Sequence, residues 1–174
     1  LLYGTYVGGS GREDSETHQL WVDAQGYAIV TGPTFSPDLP VTATAFQKKL
    51  SGPSDAFICR ISPTGALAGL TYLGGSGNEG AEGVTVDSRG RIYLTGGTFS
   101  SDFPTNLPGL PGAGEDAYLA EFMPDLSQLV VSLRVGGSGA DRGRSVSVSP
   151  QGTVFITGQT SSADLPTSAA IQSS

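Results

Sequence analysis

Val84-Thr85-Val86-Asp87-Ser88-Arg89-Gly90-Arg91-Ile92-Tyr93-Leu94-Thr95-Gly96 is the stretch whose reading decides the fold. Apolar and polar residues alternate through Val84-Thr85-Val86-Asp87, the period of a half-buried strand. Ser88-Arg89-Gly90 reads as a tight turn, since glycine takes positive φ without steric cost. Ile92 to Gly96 then returns as the second strand of a hairpin. A Ser/Pro/Gly-rich loop runs from Gly97 to Glu115. Ala117-Tyr118-Leu119-Ala120-Glu121-Phe122 reads as a third strand, and Pro124-Asp125 turns the chain. Leu129 to Val135 reads as a fourth strand.

The same plan recurs on either side. Gly74-Gly75-Ser76-Gly77 is preceded by Gly8-Gly9-Ser10-Gly11 and followed by Gly136-Gly137-Ser138-Gly139, at spacings of 66 and 62 residues. Thr31-Gly32, Thr95-Gly96 and Thr157-Gly158 keep spacings of 64 and 62, as do Asp38-Leu39-Pro40, Asp102-Phe103-Pro104 and Asp164-Leu165-Pro166. The first unit supplies strands around Leu20–Asp23, Ala28–Thr31, Ala56–Ile61 and Leu70–Leu73. The third supplies Val146–Val148 and Val154–Thr157. Four short antiparallel strands per 62–66 residues is the signature of a β-propeller blade. One such sheet cannot cover both of its faces, and stacking neighbours buries them.

The expected fold is therefore all-β, with blades of four antiparallel strands and about 2.75 repeats. By analogy with other propellers, the Val-Asp strand is innermost and the strand before Gly-Gly-Ser-Gly outermost. On that assignment residues 1–11 form the outer strand of a preceding blade, 12–77 blade one, 78–139 blade two and 140–174 a partial blade three. An unpaired strand edge invites pairing. The expected partners are thus the rest of a longer polypeptide, or further copies of the chain by strand addition.

Composition agrees. The 26 glycines and 11 prolines would break long helices but suit short strands and tight turns. No apolar run approaches the roughly 20 residues of a membrane-spanning helix, and no signal peptide is evident. The net charge is −7 and the nine basic residues are scattered, which argues against nucleic-acid binding. The one cysteine, Cys59, lies among Phe57, Ile58 and Ile61 and reads as a buried small apolar residue.

Candidate site residues follow from the repeats. Asp38, Asp102 and Asp164 recur in Ser/Thr-rich loops, where short carboxylates accept backbone N–H bonds and fix turns. Asp23 and Asp87 are expected to cap the tight hairpins. A feature present in every unit reads as scaffold. The polar cluster after the first Gly-Gly-Ser-Gly offers Glu13, Asp14 and Glu16 as oxygen ligands for Ca²⁺, without the regular carboxylate spacing of an EF-hand loop. No other cofactor is implied. His18 is the only histidine, so a zinc site of several His or Cys ligands is excluded within one chain. No G-x-S-x-G nucleophile elbow accompanies it, and no catalytic residues are assigned.

The motifs resemble the SBBP family, the bacterial β-propeller repeat. The resemblance is carried by Tyr72-Leu73-Gly74-Gly75-Ser76-Gly77, Val84–Asp87, Ile92–Gly96 and Thr98-Phe99-Ser100-Ser101-Asp102-Phe103-Pro104-Thr105. The first unit adds Ala45-Phe46-Gln47, Asp55-Ala56-Phe57-Ile58 and Pro63-Thr64-Gly65, while the second has Leu107-Pro108-Gly109-Leu110 in place of Ala-Phe-Gln. The resemblance implies an extracellular or cell-surface bacterial setting and no catalysis. The expected function is a structural or interaction module such as an adhesin, surface-layer or filament element. The alternative is a ligand-binding propeller holding a glycan or Ca²⁺ in its loops, with a hydrolase less favoured.

Overall fold

The computed structural model describes residues 3–14 and 19–165. Among the described residues the chain is all-β, with ten strands and no helix. In the first sheet β1 (Leu20–Val22), β2 (Ala28–Thr34), β3 (Asp55–Ile61) and β4 (Leu67–Leu73) lie in chain order. The second sheet repeats that order with β5 (Glu79–Val86), β6 (Ile92–Thr98), β7 (Asp116–Phe122) and β8 (Leu129–Val135). A third sheet pairs β9 (Asp141–Val148) with β10 (Val154–Thr160). Every pairing within these sheets is antiparallel.

The hairpin turns form for the reason the sequence suggests. Gly26, Gly90 and Gly152 have φ of +80°, +79° and +86°, a region that glycine alone enters freely. The inner strand β5 begins at Glu79, five residues before the alternating stretch. Its glycine-rich start still pairs with β6, through a bulge between Ala81 and Gly83. Bulges of this kind sharpen local twist.

The first and second sheets pack through Ile29, Ile58 and Leu73 on one side and Ile92, Leu94, Tyr118 and Phe122 on the other, all fully buried. Each such side chain contributes about 1.5–3 kcal/mol by leaving water. β9 continues the stack by packing against β5 and β6. Here the contact is partly ionic: Arg142 bonds Glu82 at 2.9 Å and also Glu115, and Arg144 joins the same Glu82.

The opposite face of the first sheet buries Phe57, Cys59, Leu70 and Tyr72 under Tyr3, Val7 and Leu39. Residues 3–7, expected within an outer strand, carry no strand ladder. Among the described residues no strand lies beside them to pair with. They lie over the turn after β3, with the Tyr3 ring against Gly65, as Gly69 of β4 lies over Leu126 in the next sheet. Large and small residues are exchanged between these two contacts.

The outer edges of both four-stranded sheets are covered by their own chain. Thr42 and Gln47 hydrogen-bond β4 through Leu70 O and Tyr72 N, at 3.1 and 3.2 Å. Asn106 and Leu110 do the same for β8 through Ser132 O and Arg134 O, at 3.1 and 2.8 Å. A loop laid along an edge removes the unpaired N–H and C=O groups that drive aggregation.

Candidate functional site

The densest polar chemistry lies where each Gly-Gly-Ser-Gly loop meets the end of its hairpin. In the second unit Asp102 Oδ1 accepts Ser76 N at 2.9 Å and Ser76 Oγ at 3.0 Å, while Gly77 N donates to Ser100 Oγ at 2.7 Å. Beneath them Glu79, 3% exposed, accepts Gly75 N at 2.7 Å, Thr98 Oγ1 at 2.7 Å and Ser100 Oγ at 2.6 Å. The motifs Gly-Gly-Ser-Gly-x-Glu and Thr-x-Ser-x-Asp are therefore the two halves of one clamp.

The clamp recurs in the other units. Asp38 accepts Ser10 N at 2.8 Å, and Glu13 accepts Thr34 Oγ1 at 2.9 Å, Gly9 N at 3.3 Å and the Ser36 hydroxyl. Asp164 accepts Ser138 N at 2.7 Å, and Asp141 accepts Gly137 N and Ser162 Oγ, both at 2.7 Å. The serine N–H bonds hold the carboxyls of Asp38, Asp102 and Asp164 below the ordinary range. These aspartates join two loops about 26 residues apart in sequence, rather than only fixing the turns that contain them.

Asp23 and Asp87 cap the hairpins. Asp23 Oδ1 accepts Gln25 N and Tyr27 N at 2.9 and 2.8 Å, and Asp87 Oδ1 accepts Arg89 N and Arg91 N at 2.8 and 2.9 Å. Asp23 also pairs with Arg60 at 3.1 Å. In the third unit Ser149 stands in the same place and accepts Thr153 N at 3.1 Å.

The Ca²⁺ candidates do not converge where they are described. Glu13 turns into its clamp, whereas Asp14 faces Arg12, whose Nε lies 2.7 Å from Asp14 Oδ1. Glu16, like His18, lies outside the described residues. Among the described residues no three His, Cys, Asp or Glu side chains are placed to hold one metal ion. Cys59 is buried within β3, and burial pushes its thiol up to about 12, far from reactive thiolate character.

Two groups were hidden from sequence reasoning. Asp55, at the head of β3, accepts Ser51 N at 2.9 Å, Gly52 N at 3.2 Å and Gln47 Nε2 at 2.7 Å. Burial, with Glu79 nearby, pushes its carboxyl up to about 6. The other group is the landmark threonine, whose hydroxyl donates across the sheet. Thr31 Oγ1 reaches Phe57 O at 2.6 Å, and Thr95 Oγ1 reaches Tyr118 O at 2.7 Å. The recurrence of Thr-Gly and of Asp-Ala-aromatic was the available signal, but nothing in one dimension links them.

No protein-family model and no curated protein matches this chain.

Proposed function

We propose that the chain is a non-catalytic structural or interaction module of a secreted or cell-surface bacterial protein, built from β-propeller-type blades of the SBBP kind. The observation that carries this reading is the clamp. Its carboxylates sit at one register position in every unit, and Glu13 and Glu79 spend both oxygens on protein donors. Chemistry that recurs in each unit serves the scaffold, and a scaffold of stacked sheets works by presenting edges and loops to partners.

Such a module associates. Sedimentation equilibrium on the purified chain should give a mass that rises with concentration above the 17.7 kDa of one copy. A cooperatively unfolding monomer over the whole concentration range, or robust hydrolytic turnover lost only on point substitution, would overturn the reading.

A further inference from the structure

We infer that the free edge of β10 is the acceptor for an incoming strand of Ala-aromatic-aliphatic pattern, read by Thr157 and by the cleft beside Ile156. The inference rests on the module reading above and names the partner of one edge.

Both complete sheets show what this position receives. β2 pairs with β3 so that Thr31 meets Ile58, Gly32 meets Phe57 and Pro33 meets Ala56. β6 pairs with β7 in the same way, placing Thr95 at Leu119, Gly96 at Tyr118 and Gly97 at Ala117. Each glycine lets the neighbouring backbone come close: a Cβ on Gly32 would collide with Asp14 O, and one on Gly96 with Gly80 O. Each threonine donates to the carbonyl of that aromatic residue. β10 carries the same pair, Thr157-Gly158, and hydrogen-bonds only β9 among the described strands. Thr157 is exposed, and its hydroxyl has no partner among the described residues.

The surface beside that edge is shaped for the ring. A cleft of about 410 Å³ lies between Ile156, Gly158 and Leu165 on one wall and Ala117, Tyr118 and Val135 on the other. In the second sheet Phe103 packs 4.7 Å from the Tyr118 ring, and Leu165 holds the equivalent place in the third unit. The cleft prolongs the packed interface between the second and third sheets. Asp141, 2% exposed, lies on the same cleft and accepts Gly137 N and Ser162 Oγ there. By contrast the β4 and β8 edges are already covered by residues 42–47 and 106–110. An extended segment added to such an edge gains ladder hydrogen bonds from the backbone and selectivity from alternate side chains.

The test uses a labelled peptide copying residues 116–135, titrated with the full chain and followed by fluorescence anisotropy. We expect saturable binding that a scrambled peptide does not show. Thr157→Val should weaken it about fivefold, the loss of one hydrogen bond, and Ile156→Lys should abolish it, both with unchanged thermal midpoints. In a second arm the same segment is appended through a flexible linker, which should raise the midpoint of the parent but not of I156K. Binding no tighter than the scrambled control together with an unmoved midpoint overturns the assignment, as does binding indifferent to both variants. A chain that associates yet ignores the peptide leaves the module reading standing and removes only the β10 assignment. A strictly monomeric chain that captures it does the reverse.

Discussion

Replacing Glu79 with alanine tests whether the buried clamp carboxylate holds the fold. The substitution removes the acceptor for Gly75 N, Thr98 Oγ1 and Ser100 Oγ. The two hydroxyls can rotate toward other acceptors, but the Gly75 N–H is fixed by the backbone and stays buried. Hydrogen bonds to a charged group contribute about 1.5–3 kcal/mol each. Against this stands relief of the desolvation of Glu79 and of its repulsion with Asp55. Removing one partner of a buried charged set costs about 3–5 kcal/mol, and for a domain of this size each kcal/mol moves the midpoint by about 2–4 °C. The expected fall is therefore about 6–20 °C by calorimetry, with a matching drop in the urea midpoint. Glu79→Gln keeps shape and one acceptor oxygen but turns an NH₂ toward a donor, so about 1–3 kcal/mol is lost. With Glu79 gone, the Asp55 carboxyl should also move down from about 6 toward its ordinary 3.8. A midpoint for Glu79→Ala within about 2 °C of the parent, less than 1 kcal/mol on that scale, would refute the reasoning.

Four further outcomes follow from the same geometry. Asp55 titrates at about 6 in the folded chain and at 3.8 ordinarily, so the native state binds the extra proton and stability declines as pH rises from about 4 to 6; chemical denaturation of Asp55→Ala across that window should show this decline removed, and an identical slope would count against it. Asp38, Asp102 and Asp164 have the opposite sign, contributing stability above the ordinary carboxylate range that is lost as pH falls below it. A Cβ on Gly96 would collide with Gly80 O, so Gly96→Ala should lower the melting midpoint by the cost of overpacking, about 1–3 kcal/mol, while Gly4→Ala, with nothing within 4 Å, should leave it in place. Because Glu13 is engaged by Gly9, Thr34 and Ser36, millimolar Ca²⁺ should leave the thermal midpoint unmoved, and a concentration-dependent rise would restore a metal site in that loop.

Strand content was legible because period-two alternation and turn glycines are local signals. Val84–Asp87, Ile92–Gly96, Ala117–Phe122 and Leu129–Val135 all fall within or beside observed strands. The early start of β5 was not legible, since Glu79-Gly80-Ala81 shows no apolar alternation and is held by pairing with β6. The clamp was visible only as unrelated parts: Asp102 was read as a turn residue, and Glu13 as an ion ligand, because the donors facing them lie about 20 or more residues away. Hydrogen-bond partners at that separation are set by the meeting of two loops, which no periodicity encodes.

What recurs in this chain builds each sheet, and what does not recur orders the sheets. Glu82 of β5 and Arg144 of β9 occupy the same register position 62 residues apart, yet carry opposite charge and pair across the interface. Arg142, which bonds both Glu82 and Glu115, stands where the second unit has Gly80. If two copies of the second sheet were stacked instead, Glu82 would meet Glu82 on a wall where its side chain is only 11% exposed. Like charges held together at a desolvated interface cost several kcal/mol. These non-repeated charges therefore select which sheet follows which, while the repeated clamps leave that choice open.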